Sequence, residues 1–436
     1  MLGNNLVSNM INQKSHEKDL LVGAMNAFFL KLGAAGLTFF MHVVVARTLG
    51  ANGSGIFFLA FTIVAIAATV GRFGLDNAIV KFVASNAVSS DWQKINSVFS
   101  ISEKYVFCLS LLISTIIYTG AEWFALHVFD KIDLTGPLRL LSLAIIPIAL
   151  FTYYANALRG LMLIRHSIFV LSVLSPIVFL VLCWPLMSLY GISGAAGAYL
   201  FSVIVASLAG KFIWINKTKR FSCAQKKFDK SALLASCVPL FIISLLQLIM
   251  TWASTLILGG WVESSDVGIF NAANRTSMLV SFILIAVNSI AAPKFAELYR
   301  RQDFTALRII AKKSTLLMIL LAFPVVMMFV AEPMVVMHFF GSEFVDGAQI
   351  LRILAIGQFV NVATGSVGVI LMMCGREREY KHATVIASIL NLCLNFILIP
   401  ICGVLGAATA TSISIAIQNF IGLFYVTKLF DSEATR

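Results

Sequence analysis

Three basic side chains stand inside long apolar runs of this chain: Lys31, Arg72 and Arg275. An ionised side chain at a bilayer centre costs roughly 2.5–3.5 kcal/mol on insertion scales, so it turns toward protein or water. Lys31 shares a helical face with Gly23, Ala27, Ala35, Thr38 and His42. That small, weakly polar stripe suits a water-filled lumen or a close helix contact. Asn271 lies one turn before Arg275, Asn274 lies beside it, and Asn271, Arg275 and Met278 share a face. A guanidinium fork with amide donors beside it fits phosphate geometry better than an ammonium does. The structural alternative is an arginine bonded to backbone carbonyls. Arg72 has Asp76 at i+4. The two read either as a structural ion pair or as part of a basic site, and Asp76 is the best acid for coupling to a proton or another cation.

Weaker polar patterns accompany these charges. Gln358, Asn361 and Thr364 form one stripe, and Asn391 and Asn395 form an i, i+4 pair. Both suit interhelical hydrogen bonds worth about 0.6 kcal/mol each. Pro147, Pro176, Pro239 and Pro324 interrupt apolar runs and are candidate hinges. Catalysis is unsupported, because His16, His42, His127, His166, His338 and His382 lie scattered. No GxxxxGK[ST] phosphate loop, HExxH motif or clustered metal-ligand spacing occurs. None of the seven cysteines forms a CxxC pair. The chain is therefore expected to need no cofactor and no metal, and to be no enzyme.

The elements that must hold these residues are membrane helices. The 436 residues are 59% hydrophobic and only 12% charged, against about 25% charged in an ordinary soluble domain. Mean hydropathy is +0.93. Such a chain cannot cover a globule with polar surface, and its continuous apolar runs exclude disorder. The runs extend for about 20 residues, enough to cross a ~30 Å core, whereas barrel strands would alternate over about 10. The expected fold class is an all-α polytopic membrane protein. Twelve spans are predicted, at 20–46, 55–80, 98–120, 136–157, 167–188, 192–214, 231–258, 267–292, 309–331, 347–373, 383–401 and 404–427. With the N-terminus inside, cytoplasmic segments hold 25 of the 32 Lys and Arg residues, seven of them in 211–230. That asymmetry places both termini in the cytoplasm. The net charge of +12 then reflects loops at an anionic leaflet rather than a nucleic-acid surface. The polar segment Met1–Asp19 does not read as a cleavable signal peptide.

The chain also repeats itself. The run from Gly191 to Ala198 recurs from Gly403 to Ala410 at an offset of 212, and Gly55-Ile56-Phe57 recurs as Gly268-Ile269-Phe270 at 213. Each half holds six spans, so both halves enter the membrane the same way. Two six-helix lobes related by an axis along the membrane normal follow, with the substrate path at their interface. The expected organisation is a cytoplasmic segment 1–19, an N-lobe 20–215, a basic linker 216–230, a C-lobe 231–427 and a cytoplasmic tail 428–436.

The pattern resembles the polysaccharide transporter family of the multidrug/oligosaccharidyl-lipid/polysaccharide exporter superfamily, and most of all its Wzx-type O-antigen flippases. The residues that carry the resemblance include Ala46-Arg47-Thr48-Leu49-Gly50, Gly74-Leu75-Asp76, Gly341-Ser342-Glu343-Phe344, Leu354 to Gln358, and Gly403 to Ala408. The resemblance implies a MATE-like pair of lobes around a cationic cavity in a bacterial inner membrane. It implies alternating access that flips a polyprenyl-diphosphate-linked oligosaccharide from the cytoplasmic to the periplasmic leaflet. It also implies that basic residues on the first, second and eighth spans serve the headgroup, which Lys31, Arg72 and Arg275 match by span. The partners expected are that lipid, membrane lipid and other polysaccharide-assembly membrane proteins. A cation-coupled multidrug antiporter is the alternative, and it predicts acids in the lumen. A membrane polymerase or ligase would need a large outer loop, which is missing, and a scaffold would need no charged lumen.

Overall fold

The computed structural model describes residues 2–219 and 230–434, with side chains placed for 29–219 and 233–431. Fourteen α-helices follow in order among them: α1 Leu2–Arg72, α2 Leu75–Val88, α3 Trp92–Trp123, α4 Thr135–Ser142, α5 Ile145–Gly160, α6 Ile164–Ile168, α7 Leu174–Thr218, α8 Lys230–Trp261, α9 Ser264–Arg300, α10 Phe304–Ala331, α11 Pro333–His338, α12 Ala348–Ala363, α13 Val367–Met373 and α14 Glu377–Ala434. No strand occurs among the described residues.

Eight helical stretches are long and apolar enough to cross a membrane, and the pair Ile132–Ser142 and Ile145–Gly160, bent by 44°, makes a ninth. Three of the nine are about twice the length a bilayer needs: Phe29–Arg72, Ile164–Thr218 and Glu377–Asp431. Each is folded at a glycine: Gly50 (φ 68°), Gly191 (φ 54°) and Gly403 (φ 55°). Counted as two spans each, they complete the expected twelve, arranged as two six-helix lobes. Positive φ is the reason for glycine at these turns, since a Cβ there would meet the following carbonyl. All three folds lie on the side predicted to face outward.

The internal repeat has a structural cause. Gly191 and Gly403 share ψ −129° as well as φ. Three residues on, Gly194 packs on the Leu186 carbonyl and Gly406 on the Leu398 carbonyl, again 212 apart. Each copy of Gly-x-x-Gly therefore folds a span tightly back on its predecessor.

Several expectations change in detail. The helix of the first span already begins at Leu2, so residues 2–19, the expected cytoplasmic segment, are helical. The second span is broken at Phe73 and Gly74, both with positive φ, between Arg72 and Asp76. Helices α8 and α10 run through Pro239 and Pro324 with helical backbone, so the breaks fall at glycines and not at those prolines. A π-helical turn, Phe169–Val173, stands just before Pro176. Much of the predicted linker, 220–229, lies outside the described residues.

The interior follows membrane logic. Small residues and hydroxyls line helix contacts, and buried hydroxyls bond carbonyls of their own helix, as Thr62 does to Phe58 and Ser414 to Ala410. Of the expected polar patterns, Asn391 donates to Ser414, Gln358 accepts from Ser281 and Asn361 accepts from Asn419, each across two spans, and Ser254 pairs with Thr411 beside them. Large apolar side chains such as Val181, Trp184, Leu320 and Ile401 are exposed. In a bilayer that outer surface meets lipid.

Candidate functional site: a basic cavity between the lobes

A cavity of about 430 Å³ lies between the lobes. Its N-lobe wall is Thr69, Arg72 and Asn77, and its C-lobe wall is the α8 face that carries Ser244, Gln247, Leu248, Thr251 and Trp252. Arg72 is the one charged residue in the lining. Its Nε donates to Asp76 Oδ2 at 3.1 Å and its Nη2 to Thr69 Oγ1 at 2.7 Å. Guanidinium has five N–H donors, so three remain for whatever occupies the cavity. The helix break explains how this charge is held. Arg72 closes α1 and Asp76 stands in the first turn of α2, each at the helix end its charge favours. Gly74 permits the break, and it packs so closely on α8 that an added Cβ would stand 2.6 Å from the Cys237 carbonyl oxygen.

Arg275 does not line this cavity but stacks on one of its wall residues, Trp252. Its guanidinium carbon sits 4.7 Å from the centre of the Trp252 ring, a cation–π stack. Its Nη1 points to Met278 Sδ at 3.8 Å, on the shared face expected from spacing. No carboxylate pairs with Arg275 among the described residues. His42 lies within electrostatic reach of Arg275 and stacks on Phe58 at 5.1 Å. Trp252 thus joins the two arginines: it lines the cavity of one and carries the other.

The remaining predicted residues fall elsewhere. Lys31 is exposed, on a helical stretch where Gly33 and Gly36 face open space. It stands eleven residues before His42, roughly 16 Å along the helix at 1.5 Å per residue, and no contact joins it to either arginine among the described residues. Asn271 is turned into the C-lobe, donating to the Val267 carbonyl and accepting from Thr255. Asn274 is buried, and its backbone carbonyl accepts from Ser277. Gln247 and Trp252 were not among the residues expected from the sequence. A signal existed: Gln247 is the only carboxamide in the 32 residues of α8, and Ser244, Gln247 and Thr251 recur at i, i+3 and i+7.

On the side predicted to face outward, the lobes are in contact. A Cβ on Gly55 would overlap the Ser264 carbonyl oxygen, and one on Gly268 would overlap that of Ala51. Residues 51 and 264 are themselves 213 apart, so the repeated glycines make one reciprocal contact across the pseudo-twofold axis. Two charged latches flank it. Glu343 Oε2 accepts from the Ala51 N–H at 2.7 Å, at the start of the second span. Lys131 Nζ donates to the Gly259 and Val262 carbonyls at 2.7 and 2.8 Å, at the end of α8. An acid on a helix start and a cation on a helix end are both favourable. Arg47 Nε adds a bond to the Phe339 carbonyl at 2.7 Å.

Twelve apolar spans in two lobes, touching on the side predicted to face outward and with a cavity between them, define a polytopic helical membrane protein. The chain belongs to the polysaccharide biosynthesis protein family, whose profile matches residues 21–299. The MatE profile matches residues 239–397. Among relatives, the probable low-salt glycan biosynthesis flippase Agl15 of Haloferax volcanii is 24% identical over 421 residues, covering 94% of this chain and 84% of its own. Stage V sporulation protein B of Bacillus subtilis is 30% identical over 180 residues, 40% of this chain and 34% of its own. Among solved structures, the lipid II flippase MurJ in an inward closed conformation superposes with a TM-score of 0.76 at 16% identity, over 92% of this chain and 87% of that one. An inward-facing multidrug resistance MATE transporter of the MOP superfamily gives 0.71 at 17%, over 94% and 99%. These likenesses establish the fold.

Proposed function

We propose that this chain is a flippase for a polyprenyl-diphosphate-linked oligosaccharide. It carries the headgroup from the cytoplasmic to the periplasmic leaflet of a bacterial inner membrane, for a surface polysaccharide of the O-antigen or capsule type. The observation that carries this reading is an inter-lobe cavity lined by Arg72, with Arg275 stacked on its wall residue Trp252 and Asp76 as the one carboxylate paired with Arg72. Two guanidinium forks with unused donors suit a diphosphate. Lys31, exposed on the predicted cytoplasmic half of the first span, is the first charge an entering headgroup meets. Asn271, accepting from Thr255, ties α9 to α8, the helix that carries Trp252, and Asn274 stands buried beside Arg275. Agl15 and MurJ, both named as flippases, support the same reading.

The lobes supply the mechanism. With the outer contacts made, the cavity is reached from the cytoplasmic side. Parting of Gly55 from Ser264, together with release of the Glu343 and Lys131 latches, would expose it to the outside, while the polyprenyl tail stays in lipid. The MATE neighbours favour a second reading, cation-coupled drug antiport. A basic cavity opposes it, because a cationic drug meets like charge there.

The test is headgroup sidedness in proteoliposomes. A lipid-linked oligosaccharide is loaded, and its accessibility to an external sugar-modifying reagent is followed for wild type, Lys31→Ala and Arg275→Ala at equal incorporation. Rapid wild-type movement that falls at least tenfold in Arg275→Ala is expected. Movement in none of the samples under any applied ion gradient, with uptake of a cationic dye instead, would establish the antiporter.

A further inference from the structure

We infer that the α8 wall of the cavity is a sugar subsite: Gln247, Thr251 and Ser244 bind the hydroxyls of the neutral sugar next to the diphosphate, and Trp252 supports its ring. This deepens the flippase reading and rests on it. Gln247 lies near the middle of the 32-residue helix α8, deep in the predicted span, exposed toward the cavity. Its carboxamide makes no hydrogen bond among the described residues. A carboxamide carries two donors and two acceptor lone pairs, and at membrane depth such a group requires water or a polar ligand. Its neighbours are arranged to serve the same ligand. Thr251 Oγ1 donates to the Gln247 carbonyl at 2.8 Å and keeps its lone pairs for a donor in the cavity. Ser244 Oγ accepts from Asn77 Nδ2 at 3.3 Å, which ties this wall to the N-lobe.

Charge and shape then choose the ligand class. The α8 wall contains no ionisable group, so it offers nothing to a second phosphate or to an amine. Amides and hydroxyls beside an indole match a ring that presents hydroxyls at its edge and C–H groups on its face. The cavity volume falls within the roughly 300–1,000 Å³ of small-ligand sites. Because Arg275 stacks on the Trp252 ring itself, a phosphate held by Arg275 brings the attached sugar against this wall. Selectivity for the first sugar would then reside on α8, while the arginines serve any diphosphate lipid.

Binding to the purified full-length protein in detergent tests this with two probes: polyprenyl diphosphate and the same lipid carrying one neutral hexose. Wild type is expected to bind the hexose lipid about tenfold more tightly than the bare diphosphate. Gln247→Leu, whose side chain breaks no internal bond, is expected to bring that ratio to within about twofold while leaving bare-diphosphate affinity unchanged. Arg275→Ala is expected to weaken both lipids together. A wild-type ratio near one, or a ratio unchanged in both Gln247→Leu and Thr251→Val, overturns the subsite and leaves the flippase standing. Failure of folded wild type to bind either lipid overturns the flippase reading and the subsite with it.

Discussion

Arg72 and Asp76 are 9% and 8% exposed, so their pairing is a buried one. Removing one partner of such a pair costs about 3–5 kcal/mol because the other charge is left uncompensated, whereas replacing both with apolar groups is often neutral. Asp76→Ala should therefore lower thermal stability strongly, and Arg72→Met with Asp76→Leu should recover most of it. If Arg72 also holds the headgroup, that double variant stays stable yet flips slowly. Stable protein with wild-type flipping would make the pair purely structural. The i+4 spacing announced the contact, but not that it bridges a helix break, because Phe73 at φ 47° follows no local propensity. Trp252 was equally silent. A tryptophan in an apolar helix reads as lipid-facing or core until the ninth helix sets a guanidinium on it.

At the scale of elements, Pro147 and Pro176 stand beside a 44° bend and a π-helical turn, whereas the sharp fold-backs fall at glycines. A proline's φ is helical and its missing N–H costs one hydrogen bond, so a helix supported by neighbours runs through Pro239 and Pro324. A fold-back needs positive φ, which is glycine's conformation. Gly55 and Gly268 act differently, by letting two helix backbones touch where the lobes meet. Gly268→Ala should hold the outer side apart. A cysteine placed at Ala51, which is 4% exposed in the closed form, should then label several-fold faster with a membrane-impermeant maleimide. Gly191→Ala serves as the control. Its added Cβ meets no neighbour, so it should cost about 1–2 kcal/mol of local strain without opening the outer side. Equal labelling in both variants would remove the glycine contact from the gate.

The whole molecule couples its two lobes through the contacts on the side predicted to face outward, and that coupling should respond to pH. Asp266 stands beside the closed contact at the start of α9, where burial, with Glu263 and Asp346 nearby, pushes its carboxyl above the usual range. Parting of the lobes relieves the burial and returns the group toward its ordinary value. The closed form therefore binds the proton more tightly, so lowering the outside pH favours closure, and that preference is lost as pH rises through the raised value. Spin labels at Asn52 and Ser265 should report a smaller outward-open fraction at pH 5 than at pH 7.5, and Asp266→Asn should abolish the difference. A dependence that survives Asp266→Asn would assign the effect to another group.

The membrane class, the twelve spans and the repeat were legible in the linear chain because each depends on local quantities. Hydropathy summed over about 20 residues decides insertion, and Gly-x-x-Gly at two places 212 apart builds the same fold-back wherever it stands. The individual lumen charges were legible for the same reason, since an ion in an apolar run is anomalous on its face. Tertiary structure alone decided which of them meet. Arg72 and Arg275 are 203 positions apart, and Trp252 from a third helix links them, lining the cavity of one and stacking on the other. Lys31, on a similar helical face, stands apart from both. The outer latches were also beyond the chain's own pattern, because Glu343 and Lys131 bind backbone groups, and a backbone N–H or carbonyl leaves no mark in a sequence.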